Sequence, residues 1–202
     1  MEIRERIITE AGQLFIKYGV RSITMDTLAE NMGISKRTIY ENFKDKDEML
    51  IEIIQYFKEY QLNEANEIFE SSENVVVALF RLLNNMVNTM KQVNPLFFHD
   101  MKKYHSETFK KFQDKGDIRD HTITKRMLKE GLEQGIFRKE LDLEIVNLTI
   151  HELFILFSPE SNLTSSGYHR GALFNNIIIP YLLGISTDYG RSLIENQGPF
   201  SY

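Results

Sequence analysis

Residues 24–46 read TMDTLAENMGISKRTIYENFKDK, and this stretch decides the fold because it specifies two short helices joined by a tight turn. Thr24 is a good N-cap residue, so the first helix is predicted to run from Thr24 to Met32 with its apolar side chains on one face. Gly33 is expected to end that helix, because glycine adopts a left-handed backbone without steric cost. The chain can therefore turn sharply before a second helix begins.

The second helix of this stretch is predicted to span Lys36 to Phe43, with Ser35 as its N-cap. Ile39 and Phe43 repeat at i and i+4, so both are expected to face inward. The other positions are polar and rich in hydrogen-bond donors. Two short helices, a glycine turn and a polar second helix together predict a helix-turn-helix.

The same residues resemble the DNA-binding signature of the TetR/AcrR family of bacterial repressors, over about a quarter of the chain. The matching positions are Thr24, Leu28-Ala29, Gly33-Ile34-Ser35, Thr38-Ile39-Tyr40, Phe43, Lys46 and Met49-Leu50. The resemblance implies a three-helix DNA-binding domain at residues 1–46. It also implies a helical domain at residues 47–202 that binds an effector and dimerises.

The resemblance further implies which residues bind DNA. Thr24, Tyr40 and Lys46 would contact backbone phosphates, and Lys46 would do so at the first turn of the next helix. The residues expected at the major groove are Lys36, Arg37, Thr38, Glu41 and Asn42, and Ser35 completes the predicted DNA-binding set. Arginine or lysine suits guanine, asparagine suits adenine, and glutamate can accept from cytosine. Family members often have a small residue where Arg37 stands. Without the resemblance, these basic side chains would be read as a solvated face.

Composition is that of an ordinary globular protein: of 202 residues, 42% are hydrophobic and 26% are charged. The absence of cysteine excludes disulfides and thiolate metal sites, and it agrees with a reducing cytoplasm. The N-terminal residues alternate in charge and do not resemble a signal peptide. The most apolar later segment, Leu153 to Phe157, is too short to span a bilayer. We therefore expect a cytoplasmic protein without a membrane partner.

The net charge of −5 does not by itself favour a nucleic-acid partner. Residues 1–48 contain eight Lys and Arg against nine Asp and Glu, so the predicted DNA-binding part is nearly neutral. Affinity for DNA would depend on local placement, because Lys36, Arg37, Lys44 and Lys46 lie close together.

The rest of the chain has helical periodicity and no sustained period-2 pattern, so the predicted fold class is all-α. A first helix is expected to end at Gly19, and Asp45 with Glu48 forms an approximate capping box for a long helix. The predicted breaks between later helices lie at Ser71–Glu73, Asn94-Pro95, Gly116-Asp117, Gly135 and Ser158-Pro159.

The C-terminal third combines two apolar helices with predicted irregular segments. Residues 160–167 are expected to form a loop, and a last long helix should start at Tyr168. Pro180 lies inside that helix and should kink it, because proline removes one backbone hydrogen bond. The tail from Ser186 onward is expected to be ordered only in part.

A region rich in aromatic residues and methionine predicts an apolar effector pocket, with a hydrophobic ligand of unknown identity. Its candidate residues are Phe57, Met86, Met90, Phe97, Phe98, His99, Met101, Tyr104 and Met127. The alternative is that each of these side chains belongs to an ordinary core.

The two apolar C-terminal helices predict a homodimer built as a four-helix bundle, because their apolar residues surround nearly the whole helix circumference. The candidate interface residues are Leu153, Phe154, Phe157, Ile177, Ile178, Tyr181 and Leu182. The alternative is deep burial of these helices inside one chain.

Catalytic and metal sites are not expected. The five histidines are scattered without a partner at ligand spacing, and no phosphate loop or nucleophile elbow is present. The predicted function is a DNA-binding repressor, without a cofactor, that a small-molecule effector releases from a palindromic operator. Two alternatives remain: a DNA-binding protein controlled by a partner protein, and a helical interaction module whose helix-turn-helix is vestigial.

Overall fold

The computed structural model describes residues 2–114, 121–157 and 161–198, and the side chains of 111–114 and 121 are not described. The described residues are all-α, as predicted, and they contain no β-strand, only an isolated bridge between Phe137 and Ser186. No helix in these ranges is both long enough and apolar enough to cross a membrane. The predicted breaks at Gly116-Asp117 and Ser158-Pro159 lie outside the described residues.

The helices follow one another along the chain with short connections. The first seven are α1 Ile3–Tyr18, α2 Met25–Met32, α3 Lys36–Asn42, α4 Lys46–Glu70, α5 Val75–Gln92, α6 Pro95–Tyr104 and α7 Ser106–Asp114. The remaining ones are α8 His121–Glu133, α9 Leu143–Ile155, α10 Asn162–Ser165, α11 Arg170–Leu173, a π-helical segment Phe174–Ile178, α12 Ile179–Ile185 and α13 Asp188–Asn196.

These helices form two compact units. The first unit contains residues 1–63 and 88–118, and the second contains residues 64–87 and 119–202. The units do not follow the predicted division at residues 46 and 47, because α4 and α5 each contribute to both. The division into a DNA-binding domain at residues 1–46 and an effector-binding domain at residues 47–202 therefore stays a prediction.

Each unit has its own apolar core. The core of the first unit is formed by α1 to α4 and by Met101 of α6, and its fully buried members include Ile7, Phe15, Leu28, Ile39, Phe43, Met49 and Leu50. The core of the second unit includes Val75, Leu83, Leu128, Ile136, Phe174 and Leu182.

Several local predictions are confirmed by the backbone. Gly19 and Gly33 have positive φ angles and end α1 and α2, and Asn94 caps α6 with Pro95 in its first turn. The predicted disturbance near Pro180 is present as the π-helical segment directly before α12, where one extra residue per turn breaks the regular hydrogen-bond ladder.

Two expectations for the later chain are wrong. The predicted loop 160–167 contains the short helix α10, and the helical region 95–114 breaks at His105. Within the tail, which is expected to be ordered only in part, residues 188–196 form α13, in which Gly190 and Ile194 are buried. Thr187 connects α13 to residue 136, since its N–H donates to the Ile136 carbonyl at 2.9 Å. This connection spans about fifty residues, so local sequence patterns contain no sign of it.

Candidate nucleic-acid interface

The turn between α2 and α3 is held by side-chain caps at both helix starts. Thr24 Oγ1 accepts a hydrogen bond from the Thr27 N–H at 3.1 Å, and Ser35 Oγ accepts from the Thr38 N–H at 3.0 Å. Gly33 has φ 64° in the left-handed region, and the Ile34 N–H bonds back to Ala29 O at 3.0 Å. These contacts set the angle between the two helices from residues that are near one another in sequence.

Two buried apolar residues attach α3 to the core of the first unit, and the polar side chains of α3 face outward. Ile39 and the following Phe43 are buried, as predicted, whereas Tyr40 is exposed and the Arg37 side chain is 88% exposed. Asn42 Nδ2 donates to Thr38 O at 2.8 Å, which holds its amide along the helix. The exposed side of α3 therefore presents donors and acceptors of the kinds that read base edges.

Both cations at the start of α3 are paired with acids of the same unit. Lys36 Nζ lies 2.9 Å from Asp26 Oδ2, and this hydrogen bond raises the pKa of Lys36. Arg37 Nε donates to Glu41 Oε1 at 2.8 Å. These exposed pairs contribute little to stability and can exchange their partners for DNA groups.

Arg4 of α1 fixes the other end of α3. Its guanidinium donates to the carbonyl of Asn42 and to Glu52, and it lies 4.3 Å from the centre of the Phe43 ring. The last turn of α3 thus has a charged partner from a distant helix. No local sequence pattern points to Arg4, because its contacts with Asn42 and Glu52 span 38 and 48 residues.

Lys46 has a different role from the predicted phosphate contact. Its ammonium group donates to the carbonyls of Val20 and Ile23 and lies 5.0 Å from the centre of the Phe15 ring. Burial lowers the pKa of Lys46, while the nearby carboxylates oppose that shift. The structure therefore places the side chain against the α1–α2 loop and not toward solvent.

The α6–α7 region holds the same α1–α2 loop from its other side. The buried carboxylate of Asp100 accepts from the Arg21 N–H at 2.8 Å. Asn94 donates from its N–H to Ile16 O at 2.9 Å and from its side chain to Lys17 O at 3.0 Å. These bonds satisfy carbonyls at the end of α1, where a helix has no internal donors left.

A second set of contacts joins the α6–α7 break to the first turn of α4. His105 Nδ1 lies 2.8 Å from Asp47 Oδ1, and Thr108 Oγ1 donates to the same oxygen at 2.7 Å. α6 and α7 are thus bound to the α1–α2 loop and to α4 within the first unit. The sequence contains no signal for these bonds, because the partners lie 58 to 79 residues apart.

The predicted effector-pocket residues are divided between the two units. In the first unit, Met101 is buried in the core, Phe97 and Phe98 form an edge-to-face pair at 5.4 Å, and His99 and Tyr104 are exposed. Phe57 and Met90 are half-buried in that unit, whereas Met86 and Met127 belong to the second unit. His99 and Tyr104 lie on the surface of the first unit, and their assignment to an effector pocket stays a prediction.

The second unit contains a small apolar recess with a cavity volume of about 20 Å³. Met127 contributes to it from the predicted set, and the other lining residues are Val75, Leu79, Thr124, Leu128, Phe137, Ile150 and Leu182. In the same unit Asn147 is buried, and its Oδ1 has no hydrogen-bond partner among the described residues. A buried acceptor of this kind can bind a donor from a ligand.

The predicted dimer residues divide into buried and half-buried sets. Phe157, Ile178 and Leu182 are buried in the core of their own unit, which favours the alternative of burial inside one chain for these three residues. The half-buried members are Leu153, Phe154, Ile177 and Tyr181. The exposed apolar residues of α9 are instead Ile145, Leu148 and Ile155, at 64%, 49% and 39% exposure.

Comparison with known proteins agrees with this geometry. The profile described as "Bacterial regulatory proteins, tetR family" matches residues 7–53. The chain is 25% identical over 185 residues to the uncharacterized HTH-type transcriptional regulator YvaF of Bacillus subtilis, covering 91% of this chain and 96% of that protein. It is 21% identical over 146 residues to the HTH-type transcriptional repressor KstR2 of Mycobacterium tuberculosis, covering 71% and 73%.

The fold is likewise similar to a solved structure of this class. The reduced form of NemR from E. coli superposes with a TM-score of 0.69 at 15% identity, covering 91% of this chain and 96% of that chain. The exposed recognition helix, the matched profile and the helical fold lead to one conclusion. Residues 7–53 carry the DNA-binding domain described for the tetR family of bacterial regulatory proteins, and the chain is a DNA-binding transcriptional regulator.

Proposed function

We propose that this regulator is a cytoplasmic, non-enzymatic repressor that binds a palindromic operator as a homodimer and leaves it when a small-molecule effector binds. The observation that carries the proposal is the exposed face of α3, which is capped at Ser35 and anchored below by Ile39 and Phe43. A rigid helix with polar side chains on one face fits the major groove. That KstR2 is named a repressor supports the direction of regulation.

On the DNA, Thr24 and Tyr40 would bind phosphates on either side of the groove. Ser35, at the start of α3, would also contact the DNA. Base edges would be read by Lys36, Arg37, Thr38, Glu41 and Asn42. The two ion pairs of α2 and α3 would open on binding, because a phosphate or guanine replaces Asp26 or Glu41 as the partner of each cation.

The dimer would form through α9, where exposed apolar residues follow one another at helical spacing. Ile145, Leu148 and Ile155 lie on the same side of α9, together with Glu152, so they form a stripe. A second copy of the same surface can cover this stripe around a two-fold axis. Two recognition helices would then bind successive major grooves, about 34–36 Å apart.

The effector would be mainly apolar, with one polar group. The apolar recess and the buried Asn147 Oδ1 of the second unit support this class. KstR2, to which the chain is similar, is described as a ketosteroid transcriptional regulator. Because α4 contributes to both units, a ligand that shifts it would change operator affinity, and such coupling typically amounts to ~1–3 kcal/mol.

The recess, at about 20 Å³, is far smaller than ligand pockets, which range over roughly 300–1,000 Å³, so a second candidate is regulation by a partner protein. A screen of apolar ligands by thermal shift separates the two. A ligand that stabilises the protein and weakens operator binding supports the effector. Stabilisation without any change in operator affinity contradicts it.

The central experiment is a titration of the purified protein against duplexes from its own upstream region, repeated over a range of salt concentrations. Selective binding that weakens steeply with salt is expected. Tyr40→Ala should lower affinity for all duplexes, whereas Arg37→Ala should change the preference among them. A matched control is Tyr189→Ala, which removes an exposed tyrosine of the second unit. Equal effects of both tyrosine substitutions would contradict the proposed interface.

A further inference from the structure

Most cationic side chains at the helix-turn-helix already form an ion pair or hydrogen bonds within the protein. Lys36 and Arg37 are paired with acids, and the Lys46 ammonium group is bound to two backbone carbonyls. The whole chain has a net charge of −5. Binding to the phosphate backbone nevertheless depends on cations that neutralise phosphates and release counterions. We therefore expect other basic side chains of the first unit to bind DNA phosphates.

Two such cations lie close to one exposed aromatic ring. Arg21 Nη1 donates to the Tyr104 hydroxyl at 2.7 Å, and the guanidinium carbon lies 4.8 Å from the ring centre. Lys103 Nζ lies 5.3 Å from the same ring centre. In the part of the chain that the structure describes, neither cation forms an ion pair with a carboxylate. All three side chains are exposed.

The arrangement suits a phosphate. Arg21 uses one of its five N–H donors on Tyr104, so the remaining donors stay available for phosphate oxygens. The Tyr104 hydroxyl accepts from Arg21 and keeps its own proton to donate. Because the ring restrains both cations, less side-chain freedom is lost when they bind an anion.

The cluster is attached to the parts of the first unit that bind DNA in the proposed function. Arg21 precedes Thr24 by three residues, and its backbone N–H is held by the buried Asp100. Tyr104 precedes His105, which contacts Asp47 in the first turn of α4. Asp47 is an acid beside this junction, and its Oδ1 is already bonded to His105 and Thr108. Its charge is thus partly compensated within the protein.

We propose that Arg21, Lys103 and Tyr104 form a phosphate-binding cluster that contacts the DNA backbone beside the base pairs read by α3. The proposal rests on the proposed operator binding and adds a second, sequence-independent contact. The cluster increases affinity for every duplex and leaves the preference among duplexes to α3.

The test uses the full-length protein and two duplexes of equal length: the sequence that the wild type enriches from a randomised pool, and a scrambled sequence. Lys103→Glu and Arg21→Ala are each expected to weaken binding to both duplexes several-fold and to reduce the slope of log Kobs against log[salt] by about 1. Arg21→Ala keeps the backbone bond to Asp100. Tyr104→Phe removes only the hydroxyl and should have a smaller effect of the same kind.

Lys129→Glu is the matched control, because it makes the same charge change at an exposed position of α8 in the second unit. Circular dichroism of every variant verifies the fold. If Lys103→Glu lowers affinity no more than Lys129→Glu and leaves the salt slope unchanged, the cluster does not bind phosphate. Operator binding by the wild type would still stand in that case. Failure of the wild type to select any duplex would overturn both proposals.

Discussion

The two compact units expose their large hydrophobic side chains in different ways. In the first unit the exposed ones are spread over several helices, and four are tyrosines: Tyr18, Tyr40, Tyr60 and Tyr104. In the second unit Tyr168 and Tyr189 are exposed singly, whereas three aliphatic residues lie on one side of a single helix, α9. Single exposed hydrophobics are ordinary on a protein surface, but an aligned apolar stripe marks an interaction surface.

The difference teaches that the units are suited to different partners. Tyrosines beside cations, as with Tyr104 and Arg21, combine hydroxyl donors with positive charge and fit a phosphate backbone. Ile145, Leu148 and Ile155 have no polar groups to offer DNA and fit another apolar surface.

Gly190→Ala should destabilise the second unit by about 3 kcal/mol, because a Cβ at residue 190 would lie 2.2 Å from the Ile136 carbonyl oxygen. α13 would have to move away from the core, and urea denaturation measures the loss. The control is Gly184→Ala, where a Cβ meets no atom within 4 Å and should be neutral or slightly stabilising. Equal stability of both variants would mean that α13 is not docked as described.

Leu148→Glu should weaken self-association by about 100-fold, which corresponds to ~2.7 kcal/mol, because a charge would be buried at the centre of the stripe. Sedimentation velocity over a range of concentrations measures the change. Leu148 is 49% exposed, so the fold of the monomer should persist. Ile51→Glu introduces the same charge at a 44% exposed aliphatic residue of the first unit and should leave the oligomeric state unchanged. A dimer that survives Leu148→Glu would place the interface elsewhere.

Lys46→Met should lower stability at neutral pH by about 1 kcal/mol, because two loop carbonyls lose their donor. The effect should grow with pH. Burial lowers the pKa of Lys46 in the folded state, so the unfolded chain binds more protons between that pKa and the ordinary 10.5, and wild-type stability rises with pH in this window. The Lys46→Met variant would lack this increment. Denaturation of both proteins at about pH 8 and about pH 10 measures it, and a constant difference would contradict the buried position of Lys46.

Thr24→Ala and Ser35→Ala should each cost about 0.5–1 kcal/mol, because each removes an N-cap of the helix-turn-helix. Thr24→Ser and Ser35→Thr keep the capping oxygen and should recover most of that stability. Thermal unfolding measures the differences. Thr9→Ala is the control, because the Thr9 hydroxyl donates to the Glu5 carbonyl inside α1 and caps no helix; a comparable loss there would show that capping is not the cause.

The sequence by itself determined the parts of the protein that depend on close neighbours in the chain. Local contacts within four residues produce the caps at Thr24 and Ser35, the left-handed Gly33 and the inward pair Ile39 and Phe43. One short segment of sequence is therefore enough to predict them. For the same reason the all-α fold class and the TetR-family resemblance could be predicted.

Only the tertiary structure decided which sides of helices are covered and which distant groups meet. Residues of α9 are apolar on nearly all sides, so periodicity could not separate the buried Ile150 from the exposed Leu148. The inward turn of Lys46 and the docking of α13 on Ile136 depend on contacts that span about 25 to 55 residues. Such contacts form because packing brings separate helices together, and no local pattern records that packing.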